Sequence, residues 1–232
     1  MLFMQTAFAV DMNERVMTAI TEMPKAGGYV LTNTSAEALR DSFSWNLDEI
    51  IFQPKTPSYC TTATYGVFFK ALLSYWKEQG FPEKAVIEFY KANMEYDGVG
   101  VWGRWNSNGP GTAKFFRDLD LGKNFTELSE ARPGDFLKIY WNLEIGKNER
   151  AHSVVFLSAD KDTITFWSSN TDTKGFGVRT IDKSLAKRLL FSRLERPENA
   201  ANMLKVPLTD DFLASMLTKV SSWAEVQKVV GL

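Results

Sequence analysis

The chain has 232 residues, of which 44% are hydrophobic, 13% aromatic and 24% charged, and its formal net charge is −1. That balance suits a globular chain and excludes the concentrated basic surface that duplex nucleic acid requires. One cysteine and one histidine exclude an intramolecular disulfide and leave too few soft ligands for a zinc or iron–sulfur centre. No Asp-rich loop of EF-hand spacing is present and no apolar run is long enough to span a bilayer, so neither a metal nor a membrane span is expected.

Residues 1–10 are apolar, and Ala7-Phe8-Ala9 forms a small-x-small pattern ahead of Asp11. They read as the remnant of a secretory signal peptide without its basic start, which predicts a secreted, periplasmic or envelope protein cut after Ala9. The other reading is an ordinary apolar first turn. Residues 11–232 are expected as one domain with its core at about 50–195. Val16, Ile20 and Met23 share a helical face, predicting a helix over 12–23 that Pro24 and Gly27-Gly28 stop. Ser35 is placed to N-cap a helix over 35–43. A third helix starts at Cys60, runs to about Glu78 and ends at Gly80, and a fourth covers 83–94.

The segment 97–111 is rich in Gly and Asn and reads as a long structured loop, followed by a short helix over 112–119. From Ala131 the apolar period changes to that of strands. A Pro-Gly-Asp turn precedes a strand at 136–141, and further strands are expected at 152–158, 163–169 and 188–194. Helical patterns return at 210–217 and 222–229. Helices first and antiparallel strands afterwards predict an α+β fold.

The one cysteine sits in "TPSYCTTATYGVFFKAL" (56–72), on the first turn of a strongly apolar helix. A buried free cysteine is ordinarily a small hydrophobe. At a helix N-terminus, however, unpaired N–H groups and the macrodipole favour the thiolate, and a neighbouring imidazolium favours it further. Nucleophilic chemistry also needs a base within reach of the sulfur and a third polar group to orient that base. His152 is the one histidine available and opens a predicted strand. On the next strand, alternation puts Ser168 and Asn170 on one face, and either can orient the imidazole.

The order of these features carries a resemblance. Cys60 on a helix is followed by "PGDF" (Gly134, Asp135, Phe136) opening a strand, then by "AHSVVFLS" and a polar residue on the next strand. This resembles the NlpC and CHAP groups of papain-like peptidases and amidases that cut bacterial cell-wall peptides. Many members have Asp before the cysteine and Ser-Gly after it, where this chain has Tyr59 and Thr61-Thr62, and their third residue is often a second histidine. The resemblance implies a papain-like domain with helical extensions at both ends. It implies amide hydrolysis in peptidoglycan stem peptides or at the sugar–peptide junction, without a cofactor. The same thiol would also serve an acyltransferase or transglutaminase-type enzyme, and the same fold a non-catalytic wall-binding module.

Other residues are candidates for substrate contacts. Trp102 and Trp105 could stack on a sugar or peptide with Arg104 meeting a carboxylate, or the tryptophans could simply pin their own loop. Gln53 could donate an amide N–H to an oxyanion, although the backbone N–H of Cys60 is the more direct donor. Lys183, Lys187, Arg188, Arg193 and Arg196 form either an attractor for an anionic polymer or a solvated face.

Overall fold

The computed structural model of the protein describes residues 11–47, 49–93 and 95–232. In chain order its elements are α1 (Met12–Thr21), β1 (Ala26–Gly27), α2 (Asn33–Arg40), β2 (Phe43–Asn46), β3 (Glu49–Phe52), α3 (Cys60–Gln79), α4 (Lys84–Phe89), α5 (Gly100–Asn106), α6 (Gly111–Leu119), β4 (Gly122–Phe125) and β5 (Phe136–Tyr140). There follow β6 (Ile145–Gly146), β7 (Ala151–Ala159), β8 (Thr163–Asn170), β9 (Gly175–Asp182), β10 (Arg188–Leu194), α7 (Asp211–Ser215), β11 (Val220–Ser221) and α8 (Trp223–Val230). The fold is α+β. One antiparallel sheet runs in the order β1-β9-β8-β7-β5-β10-β4. Among the described residues no helix is long and apolar enough to cross a membrane.

The sheet buries both faces. Phe136, Val155, Trp167 and Phe176 face the helices, where they join a core with Phe68, Phe69, Trp105 and Phe115. On the other face Ile139, Val154, Phe166 and Phe191 form a second cluster drawn from strands and their connections. The connection through Leu128 and Ala131 packs against that second cluster and keeps this face of the sheet from water. Both clusters follow from strands with few polar positions, such as FLKIY and HSVVF.

Helix α3 is the central helix. It packs against α1 on one side and β7 and β8 on the other, and it buries apolar residues all round, from Ala63 and Val67 to Phe68, Leu72 and Trp76. A helix apolar on every side can only be a core helix. Its first turn is set by Thr62, whose hydroxyl accepts from Tyr59 N–H at 2.9 Å and donates to the Tyr59 carbonyl at 2.9 Å.

The Pro-Gly-Asp turn is built around Asp135, which is fully buried. Its carboxylate accepts from Asn13 Nδ2 (2.9 Å), from the Arg132 N–H (2.7 Å) and from Arg193 Nε and Nη2 (2.8 and 2.7 Å). Gly134 has φ +95°, and a Cβ there would lie 2.7 Å from the Asn13 carbonyl oxygen, so only glycine lets α1 approach this closely. The turn therefore joins α1, β5 and β10 at one point.

Several expectations are corrected. The segment 97–111 contains helix α5, whose buried residues include Val101, Trp102 and Trp105. The predicted helix over 35–43 ends at Arg40, and Phe43 begins the β2–β3 hairpin. Strand β9, which pairs with β8 from Thr163↔Asp182 to Asn170↔Gly175, was not anticipated. Strand β4 was not anticipated. The N-terminal segment read as a signal-peptide remnant lies outside the described residues.

Candidate active site

Cys60 is the first residue of α3 and lies half-buried at the floor of an open cleft of about 940 Å³. The cleft is walled by Tyr59 and Thr61 from the start of α3, by Trp102 and Asn106 from α5, and by Lys138 and Ser153 from the sheet. Among the described residues, Cys60 N–H has no hydrogen-bond acceptor, as is usual for the first turn of a helix.

His152 lies on β7 just beyond the point where its ladder with β8 stops. β5 and β7 stay paired through Lys138↔Ser153 and Ile139↔His152. β7 and β8, by contrast, pair only from Val155↔Trp167 to Ala159↔Ile164. Beyond that limit the Ser153 carbonyl accepts from the Ser168 hydroxyl at 2.7 Å. His152 Nε2 donates to Asn170 Oδ1 at 2.8 Å. Its other nitrogen is then left for Cys60, whose interaction is the largest influence raising the imidazole.

The structure thus chooses between the two candidates on β8. Asn170 contacts the imidazole; Ser168 bonds backbone and is fully buried. Asn170 is itself held, since Nδ2 donates to the Ser168 and Gly177 carbonyls, each at 3.2 Å. A ring fixed by an anchored amide keeps one orientation and one tautomer.

Electrostatics favour an ion pair. Burial alone pushes the Cys60 thiol up, but the hydrogen bond and charge of His152, the Ser153 N–H and the Lys138 cation together bring it below the ordinary thiol value. Burial likewise pulls His152 down, and the bonds to Cys60 and Asn170 outweigh it, leaving the imidazole above its ordinary value. Tyr29, bridged to Ser58, is pushed up to about 12 by burial and by the nearby Cys60 charge.

The proposed substrate contacts fare differently. Arg104 is buried and meets carboxylates within the protein, Asp118 at 2.8 Å and Asp210 at 3.0 Å. Trp105 is buried against Phe68, with ring centroids 4.7 Å apart, and its indole N–H donates to Thr64. Trp102 borders the cleft but is only 2% exposed, wedged edge-on between Tyr59 and Tyr65. None of the three offers a free face, because burying their area is what holds α5 in place. Gln53 is exposed beyond β3 and does not line the cleft. Of the basic cluster, Arg193 is buried on Asp135 and Arg196 is paired with Asp120.

Sequence reasoning missed Lys138 and Asn106. Lys138 Nζ bonds Glu149 Oε1 at 2.7 Å, and Glu149 Oε2 accepts from the N–H groups of Gly109 and Gly146. Its signal was present: Lys138 shares a strand face with Phe136 and Tyr140, so its charge had to point inward. Asn106 Oδ1 accepts from Tyr59 Oη and from Thr61 Oγ1, both at 2.8 Å; hidden in a segment read as loop, it had none. Among the described residues no three His, Cys, Asp or Glu side chains come together as metal ligands. Set beside known protein families, curated proteins and solved structures, the chain has no match.

Proposed function

We propose that the protein is a cysteine hydrolase of amide bonds, with Cys60 as nucleophile, His152 as acid and base, and Asn170 as the residue that orients His152. The observation that carries this reading is the chain Cys60–His152–Asn170, assembled from a helix start and two neighbouring strands, with Cys60 opening into a cleft. The same three residue types in the same relation define papain-like sites. A cysteine helix packed on an antiparallel sheet bearing the histidine supports assignment to that fold.

In the mechanism, the Cys60 thiolate attacks the carbonyl carbon and the carbonyl π electrons move to oxygen. The tetrahedral intermediate collapses as His152 gives its proton to the leaving amine. Water, deprotonated by His152, then attacks the thioester and releases the acid and free Cys60. The substrate proposed is the peptide part of bacterial peptidoglycan, on the resemblance described above, and it would place the protein's work in the cell envelope.

The test is mass spectrometry of purified peptidoglycan fragments after incubation with the protein and with Cys60→Ser. Fragments gaining 18 Da across one amide bond, formed only by the parent, are expected from the chemistry of hydrolysis. Equal digestion by both proteins would refute the reading, and products joined to an added amine would redirect it to acyl transfer.

A further inference from the structure

We propose that Asn106 supplies the side-chain half of an oxyanion hole, its amide Nδ2 acting together with the backbone N–H of Cys60. This rests on the reading of Cys60 as a nucleophile.

Three observations support the assignment. Asn106 ends α5 and borders the same cleft as Cys60. Its Oδ1 is occupied by two hydroxyls, Tyr59 Oη and Thr61 Oγ1, that belong to the residues on either side of Cys60. The amide is therefore fixed with respect to the first turn of α3, and with Oδ1 turned to the hydroxyls, Nδ2 is directed elsewhere. Among the described residues Nδ2 has no acceptor, yet it is not one of the enclosed, unpartnered side-chain nitrogens, which belong to Arg15, Arg104 and Arg188. An unpaired amide nitrogen that is not enclosed opens to the solvent of the cleft.

The chemistry asks for such a group. When the thiolate attacks, a C–S bond forms and the carbonyl π pair becomes a full charge on oxygen. That charge is stabilised by donors already in place, because no reorganisation is then needed in the transition state. Cys60 N–H supplies one such donor, and Asn106 Nδ2 brings a second from another element across the cleft. Tyr59 is suited to hold Asn106 because burial keeps its phenol protonated and thus a donor.

The experiment compares two reactions of the same sulfur. Acylation by p-nitrophenyl acetate passes through an oxyanion and transfers an acetyl group to Cys60 as nitrophenolate leaves. Alkylation by iodoacetamide displaces iodide at a saturated carbon and forms no oxyanion. Asn106→Ala and Asn106→Asp are measured with the parent, following nitrophenolate release and the mass added to Cys60. Asn106→Asp keeps an acceptor for Tyr59 and Thr61 but has no N–H to donate, so it separates donation from mere support. Its rates are compared on the plateau of its own alkylation pH profile, since a carboxylate there raises the thiol pKa.

Both variants are expected to lose acylation by about 10²–10³-fold while alkylating as fast as the parent. Acylation at the parental rate in either variant overturns the assignment, as does a parallel loss of both reactions in Asn106→Asp. A parent that gives no acetyl-Cys60 and alkylates no faster than a free thiol overturns the hydrolase reading itself. A reactive parent with an indifferent Asn106 overturns only this assignment.

Discussion

Burial disfavours a charged imidazole, yet His152 holds its proton more firmly than a free histidine does. The reason is local: one nitrogen faces a sulfur that is itself biased toward the thiolate, and the other is fixed to Asn170. The two groups titrate as a pair, so their pKa values belong to the pair rather than to either residue. The lower step forms the thiolate–imidazolium pair and lies below the ordinary thiol value; the upper step removes the imidazolium proton and lies above the ordinary imidazole value. Activity should rise with pH through the first and fall through the second. Asn170→Ala removes an interaction that raises His152, so its alkaline limb should move to lower pH. The pH profile of kcat/KM for amide hydrolysis, which needs the imidazolium as acid, checks this, and an alkaline limb that stays in place would deny Asn170 its role. In turnover, His152→Ala should cost about 10²–10⁴-fold in kcat/KM and Asn170→Ala less. Cys60→Ser should abolish hydrolysis with little change in melting temperature, because a half-buried residue at a helix start leaves no large cavity.

At the scale of elements, α5 shows how tertiary packing overrides local preference. Its sequence GVWGRWN reads as loop because two glycines weaken a helix. One of them is a packing requirement: a Cβ at Gly103 would lie 2.0 Å from the Tyr96 carbonyl oxygen. Gly→Ala in a helix normally stabilises by about 0.4–1 kcal/mol. Gly103→Ala should instead destabilise by about 1–3 kcal/mol, since backbone rather than a flexible side chain must move. A urea midpoint raised by the substitution would contradict the close approach. The strands carrying His152 and Asn170 were legible because their alternation is strong and the Pro-Gly-Asp turn marks where they begin. β9 was not, because Gly175 and Gly177 at its start mimic a turn, and its consecutive polar residues Arg179 and Thr180, beside an exposed Val178, break the period. Cys60, His152 and Asn170 were readable by residue type and order. Asn106 was not, because its role depends on which elements meet across the cleft, whereas Lys138 was legible only as an inward charge whose partner the sequence does not name.

At the scale of the whole molecule, the site depends on a distant carboxylate. Asp135 lies at the start of β5, which sets the register of β7 and so the position of His152. It joins α1 through Asn13 and β10 through Arg193 in a fork of two hydrogen bonds, the geometry in which Arg and carboxylate fit best. Its burial means that salt screens the pair little. Asp135→Ala leaves Arg193, 6% exposed, without its partner, and the uncompensated charge should cost about 3–5 kcal/mol of stability. A second substitution, Arg193→Met, in the same chain should recover part of that loss by removing the stranded charge. Recovery should stay incomplete, because Asn13 Nδ2 and the Arg132 N–H also lose an acceptor. Urea denaturation of the parent, both single variants and the double variant measures all the terms in one cycle. A loss below about 1 kcal/mol in Asp135→Ala would match an exposed surface pair instead, and would remove Asp135 as the point on which α1, β5 and β10 converge.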